Sequence, residues 1–113
     1  MNIQIFGVKK CFNTKKAERY FKERKIKYQF VDLTITGLSK GELQSVEAVV
    51  GLNNLIDSDA KDYKRLNMDR IGSANVREEI LLNNPRLYKT PVVRNGKQAT
   101  VGYQPDVWKS WED

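Results

Sequence analysis

The sequence contains no histidine and a single cysteine, Cys11, among its 113 residues. One cysteine cannot form an internal disulfide, and without histidine we expect no zinc or other metal site. No apolar run approaches the roughly 18–20 residues of a membrane span, and the N-terminus lacks the basic and apolar regions of a signal peptide. These absences favour a cytoplasmic protein that works in a reducing compartment and does not associate with membranes.

The composition is that of one ordinary globular domain. Apolar residues make up 40% of the chain and charged residues 30%, which excludes a disordered chain and allows a core without disulfide or metal support. No linker, repeat or low-complexity run divides the sequence. We therefore predict a single domain over residues 1–113, and we expect a monomer.

The positive charge is concentrated in one stretch. The net charge is +6, yet residues 9–27 alone hold nine Lys or Arg against Glu18 and Glu23, a balance of +7. A solvated helix face is the simplest explanation. The alternatives are attraction of an anionic thiol or oxyanion, or of an acidic protein partner. Direct nucleic-acid binding is the least favoured, because the stretch has neither interleaved aromatic residues nor a base-reading motif.

The N-terminal part predicts a strand, a helix and a second strand. Residues 2–6 are apolar enough for a buried strand, and residues 14–24 carry a narrow apolar stripe of helical spacing. Residues 28–31 are aromatic and β-branched, as is typical of strands. Such a βαβ unit should be parallel and right-handed.

Residues 38–84 predict a helical insert without a strand. Ser39 and Glu42 form a capping-box pattern, and Gly51 ends the helix that follows. A short helix is expected around residues 59–67. Asn75 or Ser73 begins another helix, which Pro85 ends.

The C-terminal part predicts a hairpin and a last helix. Asn95-Gly96 is a turn signal between strands at 91–94 and 98–101. Pro105 suits the first turn of a helix whose Val107, Trp108 and Trp111 can cover the sheet. The element order, β-α-β, helical insert, β-β-α, predicts an α/β protein with a mixed four-stranded sheet and a thioredoxin-like fold. In that fold Pro91 opens the third strand beside Cys11, and we expect the Thr90-Pro91 bond to be cis.

Cys11 lies on the predicted turn between the first strand and the first helix. The first backbone N–H groups of a helix have no partner inside it, and together with the helix dipole they favour a thiolate there. Lys10 and Lys15 are expected to act in the same direction, and the Thr14 hydroxyl is a further candidate donor. The alternatives are a buried, inert thiol for Cys11 and an ordinary first-turn helix residue for Thr14.

Several segments carry a resemblance to a known family. The run Phe6-Gly7-Val8-Lys9-Lys10-Cys11, followed by Lys15-Lys16-Ala17, resembles the opening of the ArsC/Spx family, whose members are arsenate reductase-like, glutaredoxin-related and have a thioredoxin fold. The late segment from Thr90-Pro91-Val92-Val93 to Val101-Gly102-Tyr103 resembles the same family, as do the chain length and the helical insert.

The resemblance implies thiol chemistry at Cys11 but not efficient arsenate reduction. Asp59 and Thr90 stand where arsenate-reducing members have oxyanion-binding arginines, and a negative charge at Asp59 would repel the substrate. We therefore predict a monothiol oxidoreductase with no bound cofactor. An oxidised protein or small disulfide would be its substrate, and glutathione or another low-molecular-weight thiol its co-substrate. Lys9, Thr90, Pro91 and Arg94 are the residues expected to bind substrate or thiol.

The resemblance also implies an alternative without catalysis. Spx-type members are transcriptional regulators that bind RNA polymerase and often sense oxidation through Cys-x-x-Cys. Thr14 occupies the second cysteine position here, so that switch is absent. Gly51 lies eight residues before Asp59, as in the polymerase-contacting region of Spx members, although a helix C-cap explains this glycine more simply.

Overall fold

A four-stranded mixed sheet forms the centre of the computed structural model, which describes residues 1–112. Its strands in chain order are β1 (Ile3–Gly7), β2 (Tyr28–Asp32), β3 (Val92–Asn95) and β4 (Gln98–Val101). In the sheet the order is β2-β1-β3-β4, with β1 parallel to β2 and antiparallel to β3. The predicted thioredoxin-like α/β fold is confirmed. The last residue of the predicted domain, Asp113, lies outside the described residues.

The first helix begins earlier than its apolar stripe predicts. Helix α1 spans Phe12–Glu23, and Cys11 is its N-cap residue with extended backbone angles of φ −72° and ψ 125°. The predicted start at residue 14 is wrong because the stripe begins with buried Thr14 and Ala17, whereas Phe12 and Asn13 are exposed. The thiol therefore lies at the boundary of the helix.

The helical insert contains more elements than predicted. Its α-helices are α2 (Lys40–Val50), α3 (Leu52–Leu55), α4 (Lys61–Arg65) and α5 (Ala74–Asn83), and a 3₁₀ turn spans Met68–Arg70. The capping box of α2 is confirmed, with Ser39 N–H donating to Glu42 Oε1 at 2.8 Å and Glu42 N–H donating to Ser39 Oγ at 3.1 Å. Gly51, at φ 85°, ends α2 as predicted and begins the unpredicted α3. Ser73, rather than Asn75, caps α5.

Two apolar clusters cover the two faces of the sheet. Ile3 and Ile5 point to one face, where they pack with α1 and with Trp108 of α6 (Pro105–Trp111). Phe6 points to the other face, where the insert covers the sheet. The alternation follows from the two-residue period of a strand. Val107 does not cover the sheet as predicted: it is 40% exposed, because Trp108 occupies that face of α6.

The hairpin turn is shifted by one residue from the prediction. Asn95 is the last residue of β3 and pairs with Gln98, so the two turn residues are Gly96 and Lys97. Gly96 has φ 61°, the positive value that type II′ turns require at their first central position. No helix within residues 1–112 is long and apolar enough to cross a membrane.

Candidate active site at the start of the first helix

Cys11 occupies the junction between β1 and α1 and is partly exposed. Its N–H donates to the Val8 carbonyl at 2.9 Å, and its own carbonyl accepts from Lys15 N–H at 3.1 Å. The side chain makes no capping hydrogen bond to the helix in the thiol form. The backbone therefore fixes the position of the sulfur while leaving it accessible.

Thr90 is the residue that contacts the sulfur from the other end of the chain. Its hydroxyl donates to Cys11 Sγ at 3.0 Å, and the thiol in turn faces the Thr90 carbonyl at 3.8 Å. The Thr90-Pro91 peptide bond is cis, which confirms the prediction. Thr90 and Pro91 therefore lie beside the thiol, as predicted, and directly precede β3.

Thr14 lies beneath the sulfur in the first turn of α1. Its side chain is fully buried, and its hydroxyl oxygen has no hydrogen-bond partner within residues 1–112. Gly7 makes room for it, since a Cβ on Gly7 would lie 2.6 Å from Thr14 Cγ2 and 2.7 Å from its Oγ1. The absence of a side chain at Gly7 lets α1 begin this close to β1.

Hydrogen bonds set the acidity of the thiol. Burial raises the pKa of Cys11, but donation to the thiolate by the side chains of Thr14 and Thr90, and by the backbone of Thr14 and Asn13, outweighs it. The net result is a pKa below the ordinary value of a cysteine. The backbone contribution comes from N–H groups in the first turn, which have no partner inside the helix. These donors are the causes of the lowering.

The predicted lysines lie on two sides of the thiol. Lys9 and Lys10 are exposed and line an open crevice of about 520 Å³ together with Arg86. The crevice lies beyond the carboxyl ends of the parallel strands β1 and β2, where α/β proteins commonly bind ligands. Lys15 is exposed on the outer surface of α1. The thiolate-stabilising role expected of Lys10 and Lys15 stays a prediction.

Arg94 lies away from the sulfur. It pairs in the sheet with Gln4, its guanidinium donates to Gln4 Oε1 at 2.7 Å, and it lies 3.4 Å from Ser45 Oγ. These contacts join β3, β1 and α2. The structure therefore does not bring Arg94 together with Cys11, and its contacts are those of a structural residue.

Asp59 and Thr90 are the two positions at which the family resemblance implies an oxyanion-binding arginine in arsenate-reducing members. Their side chains have different surroundings in the structure. Asp59 is exposed in the turn before α4, and its N–H donates to the Asp57 carboxylate at 2.9 Å. Thr90 uses its hydroxyl on the sulfur. No group of His, Cys, Asp and Glu within residues 1–112 could hold a metal ion.

Comparison with known proteins decides the family. The model of the ArsC family matches residues 6–111. The chain belongs to the ArsC family. The match includes Cys11, Thr14 and the Thr90-Pro91 bond, so the site described above lies wholly within the family domain.

This ArsC-family chain is similar in sequence to transcriptional regulators and similar in fold to an arsenate reductase. It is 31% identical over 110 residues to Global transcriptional regulator Spx 2 of Oceanobacillus iheyensis, a match that covers 94% of this chain and 80% of that protein. It is 26% identical to Global transcriptional regulator Spx of Staphylococcus aureus, covering 92% and 82%. Its fold matches an arsenate reductase from Vibrio cholerae with a TM-score of 0.85 and 21% identity, covering 97% of each chain.

Three features of this ArsC-family site were not predicted from sequence. Arg86, in the segment before Thr90, lines the same crevice as Lys9 and Lys10. Its positive charge is the only feature of the sequence that could have indicated this. Phe12, directly after the thiol, is 69% exposed. Tyr103 lies close to Lys16, with 4.6 Å between the Lys16 Nζ and the ring centroid.

Proposed function

We propose that this ArsC-family protein is a monothiol oxidoreductase in which Cys11 is the nucleophile. The observation that carries the proposal is the Thr90 hydroxyl donating to Cys11 Sγ at 3.0 Å, in a site whose hydrogen bonds lower the pKa of the thiol. A thiolate is the nucleophile in thiol–disulfide exchange. The buried, uncommitted hydroxyl of Thr14 supports the same role.

The reaction proceeds in two exchanges. The Cys11 thiolate attacks one sulfur of a disulfide, the S–S bond breaks, and the other sulfur leaves as a thiolate that takes a proton from water. Cys11 is then held in a mixed disulfide. The chain has no second cysteine to resolve it. Glutathione or another low-molecular-weight thiol then attacks the partner's sulfur in the mixed disulfide, so that Cys11 leaves as a thiolate and the partner departs in a disulfide with the attacking thiol.

The test is mass spectrometry of the purified protein after incubation with oxidised glutathione. Wild type should gain the mass of one glutathionyl group, a thiol should then remove it, and Cys11→Ser should gain nothing. An unmodified wild type, at a pH where a free cysteine peptide does react, would contradict the proposal.

The second candidate is an Spx-like regulator that binds RNA polymerase. In its favour is the 31% identity to Global transcriptional regulator Spx 2 of Oceanobacillus iheyensis over 94% of this chain. The region around Gly51 offers an open groove of about 330 Å³, lined by exposed Val49 and Val107 among others. Co-elution of the purified protein with bacterial RNA polymerase, lost in Val49→Glu and kept in Cys11→Ser, would support this role. Absence of co-elution would rule against it.

A further inference from the structure

Three side chains form a platform beside the thiol: Phe12, Lys16 and Tyr103. Phe12 directly follows Cys11 and is 69% exposed. The Lys16 ammonium lies between two rings, 5.1 Å from the centroid of Phe12 and 4.6 Å from that of Tyr103. Tyr103 packs edge-on against buried Trp108 at 5.6 Å between centroids. The platform is thus anchored to the core and adjoins the reactive sulfur.

The exposure of Phe12 has no explanation in the packing of α1. The other apolar residues of this helix, Ala17, Tyr20 and Phe21, are buried against the sheet. A single exposed apolar side chain is common on protein surfaces. Here, however, the exposed ring, an ammonium group and a thiol of lowered pKa occur within six residues of chain.

The surface around the platform is positive. Lys15, Arg19 and Lys22 line a neighbouring stretch of the outer face of α1 together with Glu18. Glu18 accepts a hydrogen bond from the Tyr28 hydroxyl at 2.8 Å, so part of its carboxylate is engaged within the protein. An anionic partner with apolar groups fits this combination of charge and exposed ring better than a neutral or cationic one.

We propose that the platform binds an acidic polypeptide segment whose cysteine, held in a disulfide, is the substrate of Cys11. This inference rests on the proposed monothiol function and names its substrate class. The acidic side chains of the segment lie against Lys16 and the basic face of α1, and an apolar side chain covers Phe12. Cys11 then attacks the sulfur of the segment, and the group on the other sulfur leaves as a thiolate.

Two peptides of equal length test the preference. Each carries one cysteine as a neutral 2-thiopyridyl disulfide, flanked by Glu and Leu in one peptide and by Lys and Leu in the other. Attack by Cys11 on the peptide sulfur joins protein and peptide and releases 2-thiopyridone, whose absorbance gives the rate. The acidic peptide should react about tenfold faster at low ionic strength, and the difference should shrink strongly at ~1 M salt. A neutral reference, 2-hydroxyethyl 2-pyridyl disulfide, releases the same 2-thiopyridone and reports the reactivity of the thiol alone.

Variants locate the preference on the platform. Phe12→Ala and Lys16→Gln should each lower, several-fold, the rate for the acidic peptide relative to the rate for the neutral reference. The matched controls are Val76→Ala, an exposed apolar residue of α5, and Lys97→Gln at the hairpin tip. That tip follows Asn95, which pairs with Ile3 at the end of β1 opposite Cys11. Both controls should keep the wild-type ratio.

The outcomes separate the two proposals. Equal rates for the two peptides, or ratios in Phe12→Ala and Lys16→Gln that match those of the controls, would overturn the platform while leaving the monothiol function standing. A protein that reacts with neither the peptides nor the neutral disulfide would overturn both.

Discussion

The Thr90 hydroxyl donates a hydrogen bond to the sulfur of Cys11 at 3.0 Å, although 79 positions of sequence separate the two residues. The contact joins the start of α1 to the segment that enters β3. It brings a neutral hydroxyl donor to the reactive atom. This donor supports the proposed thiol–disulfide exchange, because it stabilises a thiolate.

Removal of this donor should make the thiol less acidic. Thr90→Val keeps the shape of the side chain and deletes the hydroxyl, which is one of the causes that lower the pKa of Cys11. We expect the pKa of Cys11 to rise and its alkylation at neutral pH to slow. The measurement is the iodoacetamide rate as a function of pH, with Thr36→Val as the control at an exposed threonine. Identical profiles in wild type and Thr90→Val would refute the assigned role of the hydroxyl.

A methyl group on Gly7 should displace Thr14, which lies next to Gly7 in the same site. Gly7→Ala places a Cβ 2.6 Å from Thr14 Cγ2, so Thr14 and the first turn of α1 must move. We expect a loss of about 1–3 kcal/mol in the free energy of unfolding, the usual cost of overpacking, together with a higher pKa of Cys11. Urea unfolding and pH-dependent alkylation measure the two effects.

Gly41 provides the matched control for that substitution. It lies in α2, and a Cβ there would meet nothing within 4 Å. Gly41→Ala should raise the free energy of unfolding by about 0.5–1 kcal/mol, because alanine favours the helix. If both variants changed stability equally, the close approach of Gly7 to Thr14 would have no energetic importance.

Arg94 should matter for stability. Its guanidinium contacts Gln4 and Ser45 across three elements of the fold, and a net hydrogen bond contributes about 0.5–1.5 kcal/mol. Arg94→Gln is therefore expected to lower the free energy of unfolding by about 1 kcal/mol in urea. A slower thiol exchange without any loss of stability would instead restore the substrate-binding role predicted from the sequence.

Glu47, in helix α2 of the insert, should make the free energy of unfolding depend on pH. Burial, followed by a hydrogen bond and charge repulsion from Glu78, raises the pKa of Glu47 to about 7 from 4.5. The folded protein therefore holds this proton more tightly than the unfolded chain does. The free energy of unfolding should fall as the pH rises from about 4.5 to about 7, and it should become level above about pH 7.

Urea unfolding across the same pH range measures this effect. The chain has no histidine, so no imidazole titrates in the same window. Glu47→Gln should remove the decline, whereas Glu79→Gln, an exposed carboxylate on α5, should retain it. A decline of the same size in Glu47→Gln would assign the effect to other groups.

Local patterns predicted the elements that they control. Ser39 and Glu42 lie three residues apart and cap α2 without help from the rest of the fold. The start of α1 was harder to predict, because Cys11 is not a typical N-cap residue and its side chain does not cap the helix. At the hairpin, Asn95 and Gly96 both tolerate positive φ, so the turn pattern leaves the register open. The pairing of Asn95 with Ile3 and Gln98 fixes it.

The surroundings of the thiol depend on contacts that sequence spacing does not contain. Arg94 and Arg86 are equivalent as charges in the sequence, yet one is bound to Gln4 and the other lines the crevice beside Lys10. Their partners follow from the packing of distant elements. The expected thioredoxin-like fold placed Thr90 beside Cys11, and the direction of its hydroxyl required the structure.

The pH dependence of Cys11 alkylation in the wild-type protein is the most direct test of the central claim. If hydrogen bonds from Thr14, Thr90 and the first turn of α1 hold Cys11 as a reactive thiolate, the midpoint of the profile will lie below about 8.5, the value of a free cysteine. A midpoint at or above that value would contradict the assignment of Cys11 as the nucleophile.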